Sequence, residues 1–355
     1  MNAFLAKSPV VNHVEHQHEL DSLCASLREL PEIAAKRAIS LAATQRDELT
    51  PLSLEQKYAL PGDDCAAFKS GDGYQLLAME GMLPPFVAQD PKAAGWSSVM
   101  VNVSDIAAMG GRPSAIVNAY WHHDSEASAI LLKHMKRACD VFGIHFAGGH
   151  SSIQSGYTPA LAVAITGYAK NLLSCYHLKP GQRLFMLTDL TGSWHGNLPY
   201  WGCVQGKTPE QIREQWNIPA QLAEAGLAVA AKDISNGGIM GTLIMMLELT
   251  GCGADIDLNA IRHPQGDLLR WLRAFQSFGF LLAVDSDRVS AMLKFFQNSH
   301  LSCSPIGTIT SSGKINLDYF GAKAEFWDIH AQPLTGMGVK AEAEMSEGEM
   351  KNAIR

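Results

Sequence analysis

The stretch Asn102-Val103-Ser104-Asp105-Ile106-Ala107-Ala108-Met109-Gly110-Gly111 places an amide and a carboxylate inside an otherwise apolar helical pattern. Residues three apart share a helix face, so Asn102 and Asp105 lie on one side, together with Ser98. The other side carries apolar residues suited to a core, namely Val99, Val103 and Ile106. Two interpretations of the polar side stay open, a ligand-binding face or a set of polar groups satisfied within the core.

A second acidic stretch, Gly62-Asp63-Asp64-Cys65-Ala66, precedes a strand-like run. Adjacent carboxylates repel each other and are most stable in water or around a cation. In proteins Mg²⁺ is usually held by one or two carboxylates together with the phosphates of a substrate. A plain turn before the strand is the alternative. Together with Asp105, this stretch raises the hypothesis of an enzyme that uses ATP.

A third stretch, Phe146-Ala147-Gly148-Gly149-His150-Ser151-Ser152, runs from a strand into two glycines and polar side chains. Glycines allow the backbone to come close to a ligand. His150 suits a metal ligand, a donor to phosphate or a general base, because imidazole titrates near neutrality. A structural role is the more common fate of a single histidine.

A fourth stretch, Asp233-Ile234-Ser235-Asn236-Gly237-Gly238, predicts Ser235 or Asn236 as the N-cap of a helix that carries Ile239 to Leu249. The free amides at such a helix terminus bind anions. The alternative is a good cap without a ligand.

The remaining pattern alternates strands with long helices. Predicted strands cover residues 74–79, 115–121, 144–147, 158–168, 184–188, 280–284 and 306–310. Predicted helices cover residues 19–45 with a break at Pro31, 93–109, 126–142, 221–231, 239–250 and 288–298. A turn near 178–181 separates the two halves. This mixture predicts sheets covered by helices.

Composition sets the broad class of protein. The chain has 355 residues, 47% of them hydrophobic, and a formal net charge of -7. A negative chain repels polyanions on average, so we expect no nucleic-acid partner and no anionic membrane partner. No apolar run approaches the roughly 18 residues that a membrane-spanning helix needs. The start of the chain lacks the basic and apolar regions of a signal peptide, and the seven cysteines stand singly, so we expect a cytoplasmic protein with reduced thiols.

Taken in order, the four stretches resemble the AIR synthase-related (PurM-like) superfamily. It contains aminoimidazole ribonucleotide synthetase, thiamine-monophosphate kinase, selenophosphate synthetase and the hydrogenase-maturation dehydratase. The similarity covers about residues 55–325. It extends to three further segments, LKPGQRLFMLTDLTGS from Leu178, GCGADIDL from Gly251 and FGFLLAVD from Phe278.

The resemblance implies an α+β fold with two domains. The N-terminal domain would contain a mixed sheet with helices that pairs across a homodimer, and the C-terminal domain would be an α/β sandwich. The implied boundaries are a helical arm at 1–50, an ATP-binding domain at 51–172, a C-terminal domain at 173–335 and a mobile tail at 336–355. ATP would lie between the domains near the dimer interface.

The resemblance also implies ATP and Mg²⁺ as cofactors, with Mn²⁺ as an alternative ion, and a small-molecule substrate. The residues that it assigns to the metal are Asp63, Asp64, Glu80 and Asp105. Those that it assigns to the nucleotide or the acceptor are Asn102, Asp105, Gly148, Gly149, Ser151, Ser235 and Asn236. Asp233 or His150 would be the general base.

Three positions depart from the pattern of the relatives. Glu80 stands where most relatives have an aspartate, His150 replaces an acidic residue after two glycines, and Asn236 replaces the second aspartate of the fourth stretch. Fewer carboxylates hold fewer divalent ions, and imidazole favours softer metals than Mg²⁺. Two functions therefore stay open, phosphoryl transfer from Mg-ATP to a small metabolite, or a nucleotide-binding protein that has lost turnover.

A third hypothesis concerns the N-terminal segment. His13, Glu15, His16 and His18 have ligand types that suit a transition metal. A polar arm close to the chain terminus is the more common explanation of such a cluster.

Overall fold

The computed structural model describes residues 9–43 and 62–338. Its first helices are α1 (Pro9–Arg28), α2 (Pro31–Lys36) and α3 (Ser40–Ala43). Pro31 opens α2, because proline suits the first turn of a helix and not its interior. The apolar residues Leu20 and Leu27 are fully buried, and the Arg28 side chain donates a 2.9 Å hydrogen bond to the Phe326 carbonyl. This segment is therefore anchored to the second half of the chain.

The first sheet has five strands and helices on one face. Its strands are β1 (Ala66–Ser70), β2 (Gly73–Met82), β3 (Arg112–His122), β4 (His145–Ile153) and β5 (Ala160–Ala169), in the order β1-β2-β5-β3-β4. Its helices are α4 (Pro84–Gln89), α5 (Pro91–Ala108) and α6 (Ser125–Phe142). The β3–β4 pair is parallel and the others are antiparallel.

Alternation along β2 shows which sheet face is covered. Leu76 and Ala78 are buried, whereas Leu77 is 49% exposed and Met79 is 70% exposed. Because successive side chains of a strand point to opposite faces, one face packs against the helices and the other faces outward. We call this second surface the outer face. It carries the exposed apolar residues Phe68, Leu77, Met79, Val117 and Trp121.

The second half contains a seven-stranded mixed sheet and a small three-stranded one. The larger sheet has the order β15-β14-β10-β13-β6-β12-β9. Its strands are β6 (Arg183–Thr188), β9 (Ala230–Asp233), β10 (Gly253–Asp257), β12 (Gly279–Val284), β13 (Ser302–Thr310), β14 (Lys314–Tyr319) and β15 (Ala322–Asp328). The smaller sheet contains β7 (Ser193–Trp194), β8 (Tyr200–Gly202) and β11 (Phe275–Gln276). Helices of this half are α7 (Pro209–Trp216), α8 (Ile218–Glu224), α9 (Gly238–Glu248), α10 (Leu268–Leu272) and α11 (Val289–Phe295).

The predicted helix over 221–231 is wrong in its second part. The helix ends at Glu224, and residues from Ala230 form the edge strand β9, which pairs with β12. Ala230 and Ala231 are fully buried. Alanine favours helices in isolation, but burial against a neighbouring strand overrides that preference.

Strand β9 joins the two halves. It lies at one edge of the large sheet and contacts α5 of the first half. This contact places the end of β9 beside the carboxyl half of α5. The predicted domain boundary lies between residues 172 and 173. In the structure, β5 of the first sheet ends at Ala169 and β6 of the seven-stranded sheet begins at Arg183, so the boundary falls between them. It stays a prediction, and most of the predicted tail at 336–355 lies outside the described residues.

Candidate functional site

Six carboxylates line one large pocket of about 1660 Å³ between the two halves, and five of them, from four parts of the chain, form an acidic group. They come from the segment before β1, the end of β2, the last turn of α5 and the end of β9. They are Asp63, Asp64, Glu80, Asp105 and Asp233. The structure therefore brings together the predicted metal-binding residues and one of the two predicted bases.

Asp63 is held by hydrogen bonds from the link between the sheets. The Ser174 hydroxyl donates to one carboxylate oxygen at 2.5 Å, and the Cys175 amide donates to the other at 2.8 Å. Burial raises the pKa of Asp63, and these hydrogen bonds partly offset that increase. Asp63 thus positions the acidic stretch, in addition to its predicted role at the metal.

Asp64 forms a buried ion pair with Lys232, a residue that the motifs did not single out. The two side chains are 8% and 7% exposed, respectively, and the Asp233 amide also donates to Asp64 at 3.3 Å. Burial alone would lower the pKa of Lys232, but the Asp64 carboxylate raises it above its usual value. The sequence signal that could have identified Lys232 is its position directly after the apolar run Ala228 to Ala231. In the structure both faces of this strand are covered.

The other three carboxylates influence one another electrostatically. Burial is the main cause of the raised pKa of Asp105, and Asp233 and Glu80 raise it further. Burial and then Asp64 raise the pKa of Asp233 to about 7. Burial also raises the pKa of Glu80, although this residue lies on the open side of the pocket. Two lysines of the pocket, Lys232 and Lys36, act on these acids and do not neutralise all five, so a divalent cation would be stabilised there.

The donor set fits a magnesium ion that is carried by phosphates. Among the described residues, no three His, Cys, Asp or Glu side chains are arranged as a complete metal cage. Mg²⁺ does not need such a cage, because one or two carboxylates and the phosphates of a substrate usually hold it. In the described part of the chain, the side chains of Glu80, Asp105 and Asp233 form no ion pair and no hydrogen bond. Asp105 and Asp233 are the buried members of this set, and they suit this role.

The raised pKa of Asp233 predicts a pH-dependent stability in metal-free buffer. The unfolded carboxyl group ionises near its usual 3.8, whereas the folded one keeps its proton up to about pH 7. The free energy of unfolding should therefore be highest below pH 4 and fall by about 1–4 kcal/mol as the pH rises through 7. Urea denaturation with EDTA between pH 4.5 and 8 measures this slope. Asp233→Asn should flatten it, and an unchanged slope would contradict the assignment.

Ser235 and Asn236 line the same pocket, as the sequence predicted. Neither is the N-cap of α9, so that part of the prediction is wrong. The cap is Gly237, with φ of 96°, and no side chain caps the helix. The Ser235 carbonyl instead accepts a 2.9 Å bond from Gly238 in a tight turn. This turn leaves both polar side chains available at the pocket.

Asn102 lies apart from the pocket lining. It is fully buried in α5, and its amide nitrogen donates to the Ser98 carbonyl at 2.8 Å. Its side-chain oxygen is buried without a hydrogen-bond partner. The predicted contact of Asn102 with a nucleotide stays a prediction.

The stretch Gly148-Gly149-His150-Ser151 is also outside the pocket lining, in the edge strand β4. A β-carbon on Gly149 would lie 2.1 Å from the Asn118 carbonyl oxygen, where the β3–β4 register shifts. Gly149 is therefore required for strand packing. His150 is exposed, and its ring lies 5.5 Å from that of Trp121 on the outer face. Roles for these residues at a nucleotide stay predictions.

The N-terminal histidines do not join this site. The His16 ring stacks on Phe320 with a centroid distance of 5.0 Å, and the side chain of His13 lies outside the described residues. The described part of the chain contains no metal-binding group of three or more suitable side chains. None of the described helices is long and apolar enough to cross a lipid bilayer.

Comparison with known proteins identifies the class. Two family models match, AIR synthase related protein, N-terminal domain, over residues 62–169, and AIR synthase related protein, C-terminal domain, over residues 188–320. An uncharacterised protein from Synechocystis sp. is 40% identical over 319 residues, which is 89% of this chain and 98% of that protein.

Two solved structures show the same fold. T. maritima PurL complexed with ADP has a TM-score of 0.68 at 16% identity, over 91% of this chain and 54% of that one. AaThiL complexed with AMPPCP and TMP has a TM-score of 0.58 at 17% identity, over 83% of this chain and 96% of that one. This chain thus spans about half the length of the PurL chain. Fold and site define a two-domain α+β protein of the PurM-like class. The chain belongs to the AIR synthase related protein family, and the predicted family and fold class are confirmed.

Proposed function

We propose that this protein transfers the terminal phosphoryl group of Mg-ATP to a small metabolite, as a final product or as an activated intermediate. The observation that carries the proposal is the convergence of Asp64, Glu80, Asp105 and Asp233 around the buried Lys232 in one pocket. Bound ADP and AMPPCP in the two structural neighbours support a nucleotide ligand. Phosphoryl transfer depends mostly on positioning and charge neutralisation, which this group of residues supplies.

Each side chain has a separate task in this proposal. Asp105 and Asp233 would hold the Mg²⁺, which neutralises phosphate charge when bound. Lys232, already paired with Asp64, is a fixed positive charge beside the acidic group. Asp233 has a pKa of about 7 and is the alternative general base, in which case Asp105 would hold the Mg²⁺ without it. Asp63 keeps the acidic stretch in place through its bonds to Ser174 and Cys175.

A binding protein without turnover is the second candidate, and Asn236 motivates it. This amide lines the pocket at a position where the resemblance leads one to expect a carboxylate. An amide binds a divalent cation less strongly than a carboxylate does, so binding could persist while chemistry is lost. Asn236→Asp tests this point, since restored metal affinity together with new ATP turnover would favour the binding protein as the wild-type function.

Calorimetric titration of ATP and ADP, with EDTA, Mg²⁺ and then Mn²⁺, tests the proposed function. We expect ATP binding that requires the metal. A parallel assay of ADP formation across a panel of small hydroxyl, carboxylate and amide compounds tests turnover. Failure of ATP to bind at millimolar nucleotide with either metal would refute the proposal. Binding without turnover on any compound would favour the binding protein.

We also propose that a second copy of the chain covers the outer face. This surface holds five exposed apolar side chains on the three strands β1, β2 and β3, and such a contiguous patch marks an interaction site. Met79 and Val117 pair with the same residue, Ala164, at its centre. Met79 also lines the pocket, so the dimer contact would border the site.

Substitution of Val117 tests the dimer. Val117→Asp should convert the dimer to a monomer at micromolar concentration, because a carboxylate would be buried opposite an apolar surface. Sedimentation velocity measures the mass. Val14→Asp is the matched control, since Val14 is 68% exposed on α1, away from the outer face. A wild-type monomer, or a Val117→Asp dimer of unchanged affinity, would contradict the proposal.

A further inference from the structure

The pocket extends far beyond the acidic group, along one side of α5. The residues of α5 that line it recur at helical spacing, at Lys92, Trp96, Met100 and Asp105. Thirteen residues separate Lys92 from Asp105, which is about 20 Å at the rise of an α-helix. The two ends of this groove carry opposite charge, because Asp105 belongs to the acidic group and Lys92 lies at the other end.

One further cation, Arg137, and the imidazole of His134 join Lys92 at that end. His134 and Arg137 are three residues apart on α6 and therefore share one face of that helix. Both line the pocket. The helices are in close contact there, since a β-carbon on Gly95 of α5 would lie 2.3 Å from the Leu131 carbonyl of α6. We call Lys92, His134 and Arg137 the distal cation cluster.

This cluster has little anionic compensation within the protein. In the described residues, neither Lys92 nor Arg137 has a carboxylate within ion-pair distance. Asp90 also lines the pocket and acts on His134, but its carboxylate accepts a 2.9 Å hydrogen bond from the Ala93 amide as the N-cap of α5. Burial lowers the pKa of His134, and Lys92 and Arg137 lower it further. Cations that crowd one another at a pocket wall favour an anionic ligand.

We propose that the distal cation cluster binds an anionic group, a phosphate or a carboxylate, of the small molecule that accepts the phosphoryl group. The inference rests on the proposed function, which places the metal and the ATP phosphates at the acidic end of the groove. Lys92 lies about 20 Å from Asp105 along α5, so the cluster beside it is not needed for those phosphates. The guanidinium of Arg137 can bind either oxyanion through two parallel hydrogen bonds. The acceptor is therefore an anionic metabolite that spans the groove past Trp96.

Anion binding without metal isolates this cluster. In EDTA the acidic group repels anions, so inorganic phosphate or acetate should bind only at the distal cation cluster. We expect millimolar affinity for at least one of them, measured by ³¹P line broadening for phosphate and ¹³C line broadening for acetate. The anion whose NMR line broadens more, phosphate or acetate, identifies the chemistry of the anionic group. The dissociation constant should rise at least about tenfold in Lys92→Gln/Arg137→Gln.

Two controls separate this inference from the proposed function. Lys133→Gln removes a cation from the exposed side of the same helix, outside the pocket lining, and should leave anion binding unchanged. Affinity for Mg-ATP should stay within about twofold of wild type in the double variant. Loss of Mg-ATP affinity there would overturn the inference, because the cluster would then serve the nucleotide. Equal broadening by wild type and double variant, or none by either, would also overturn it. If anions bind at the cluster but Mg-ATP binds nowhere, the proposed function fails and the assignment to an acceptor fails with it.

Discussion

Asp105→Asn should weaken Mg-ATP binding at least about tenfold, equivalent to about 1.4 kcal/mol, or abolish it. Asp105 is 7% exposed at the end of α5, and the nearby carboxylates of Asp233 and Glu80 raise its pKa. A divalent cation would therefore stabilise the Asp105 carboxylate. Asparagine has nearly the same shape as aspartate, so the variant removes the charge alone. Calorimetric titration of ATP with Mg²⁺ into wild type and variant measures the change.

The same variant should be at least as stable as wild type without metal. A buried charge in a group of like charges costs free energy, so its removal relieves repulsion. Asp140→Asn is the matched control, because Asp140 is exposed on α6 and pairs with Lys136. It should leave ATP binding unchanged. Wild-type Mg-ATP affinity in Asp105→Asn would show that the metal is held elsewhere.

Lys232→Met should lower the free energy of unfolding by about 3–5 kcal/mol, because it leaves the Asp64 carboxylate buried without its partner. Both side chains are less than 10% exposed. Four other carboxylates of the acidic group line the same pocket, and they add to the repulsion. Urea denaturation followed by tryptophan fluorescence at pH 7.5 in EDTA measures the loss.

The second substitution Asp64→Asn should recover much of that stability, since a neutral pair has no stranded charge. Lys136→Met provides the surface comparison. Its pair with Asp140 is about 60% exposed on both sides, and such pairs contribute about 0–1 kcal/mol. Similar losses for Lys232→Met and Lys136→Met would mean that solvent reaches the Lys232–Asp64 pair.

Local patterns were enough to identify much of the fold. The apolar runs of β2 and β5 and the helical spacing in α5 and α6 appear in the sequence because these elements pack against a core. The predictions failed where long-range contacts decide. Residues 230–233 form a strand because β12 lies beside them. The cap of α9 is Gly237 because a tight turn from Ser235 leads into the helix.

The site residues also fall into two groups, those indicated by local sequence and those that depend on long-range contacts. The sequence alone singled out Asp63, Asp64, Asp105 and Asp233 as candidate site residues, because they lie in short stretches whose order resembles a known family. Only the tertiary structure decided which of the predicted residues share a pocket, since that depends on how β9 packs against α5. It separated Asn102, Gly149 and His150 from that pocket and added Lys232 and the distal cation cluster. Their importance arises from neighbours more than 40 positions away along the chain, which no local pattern records.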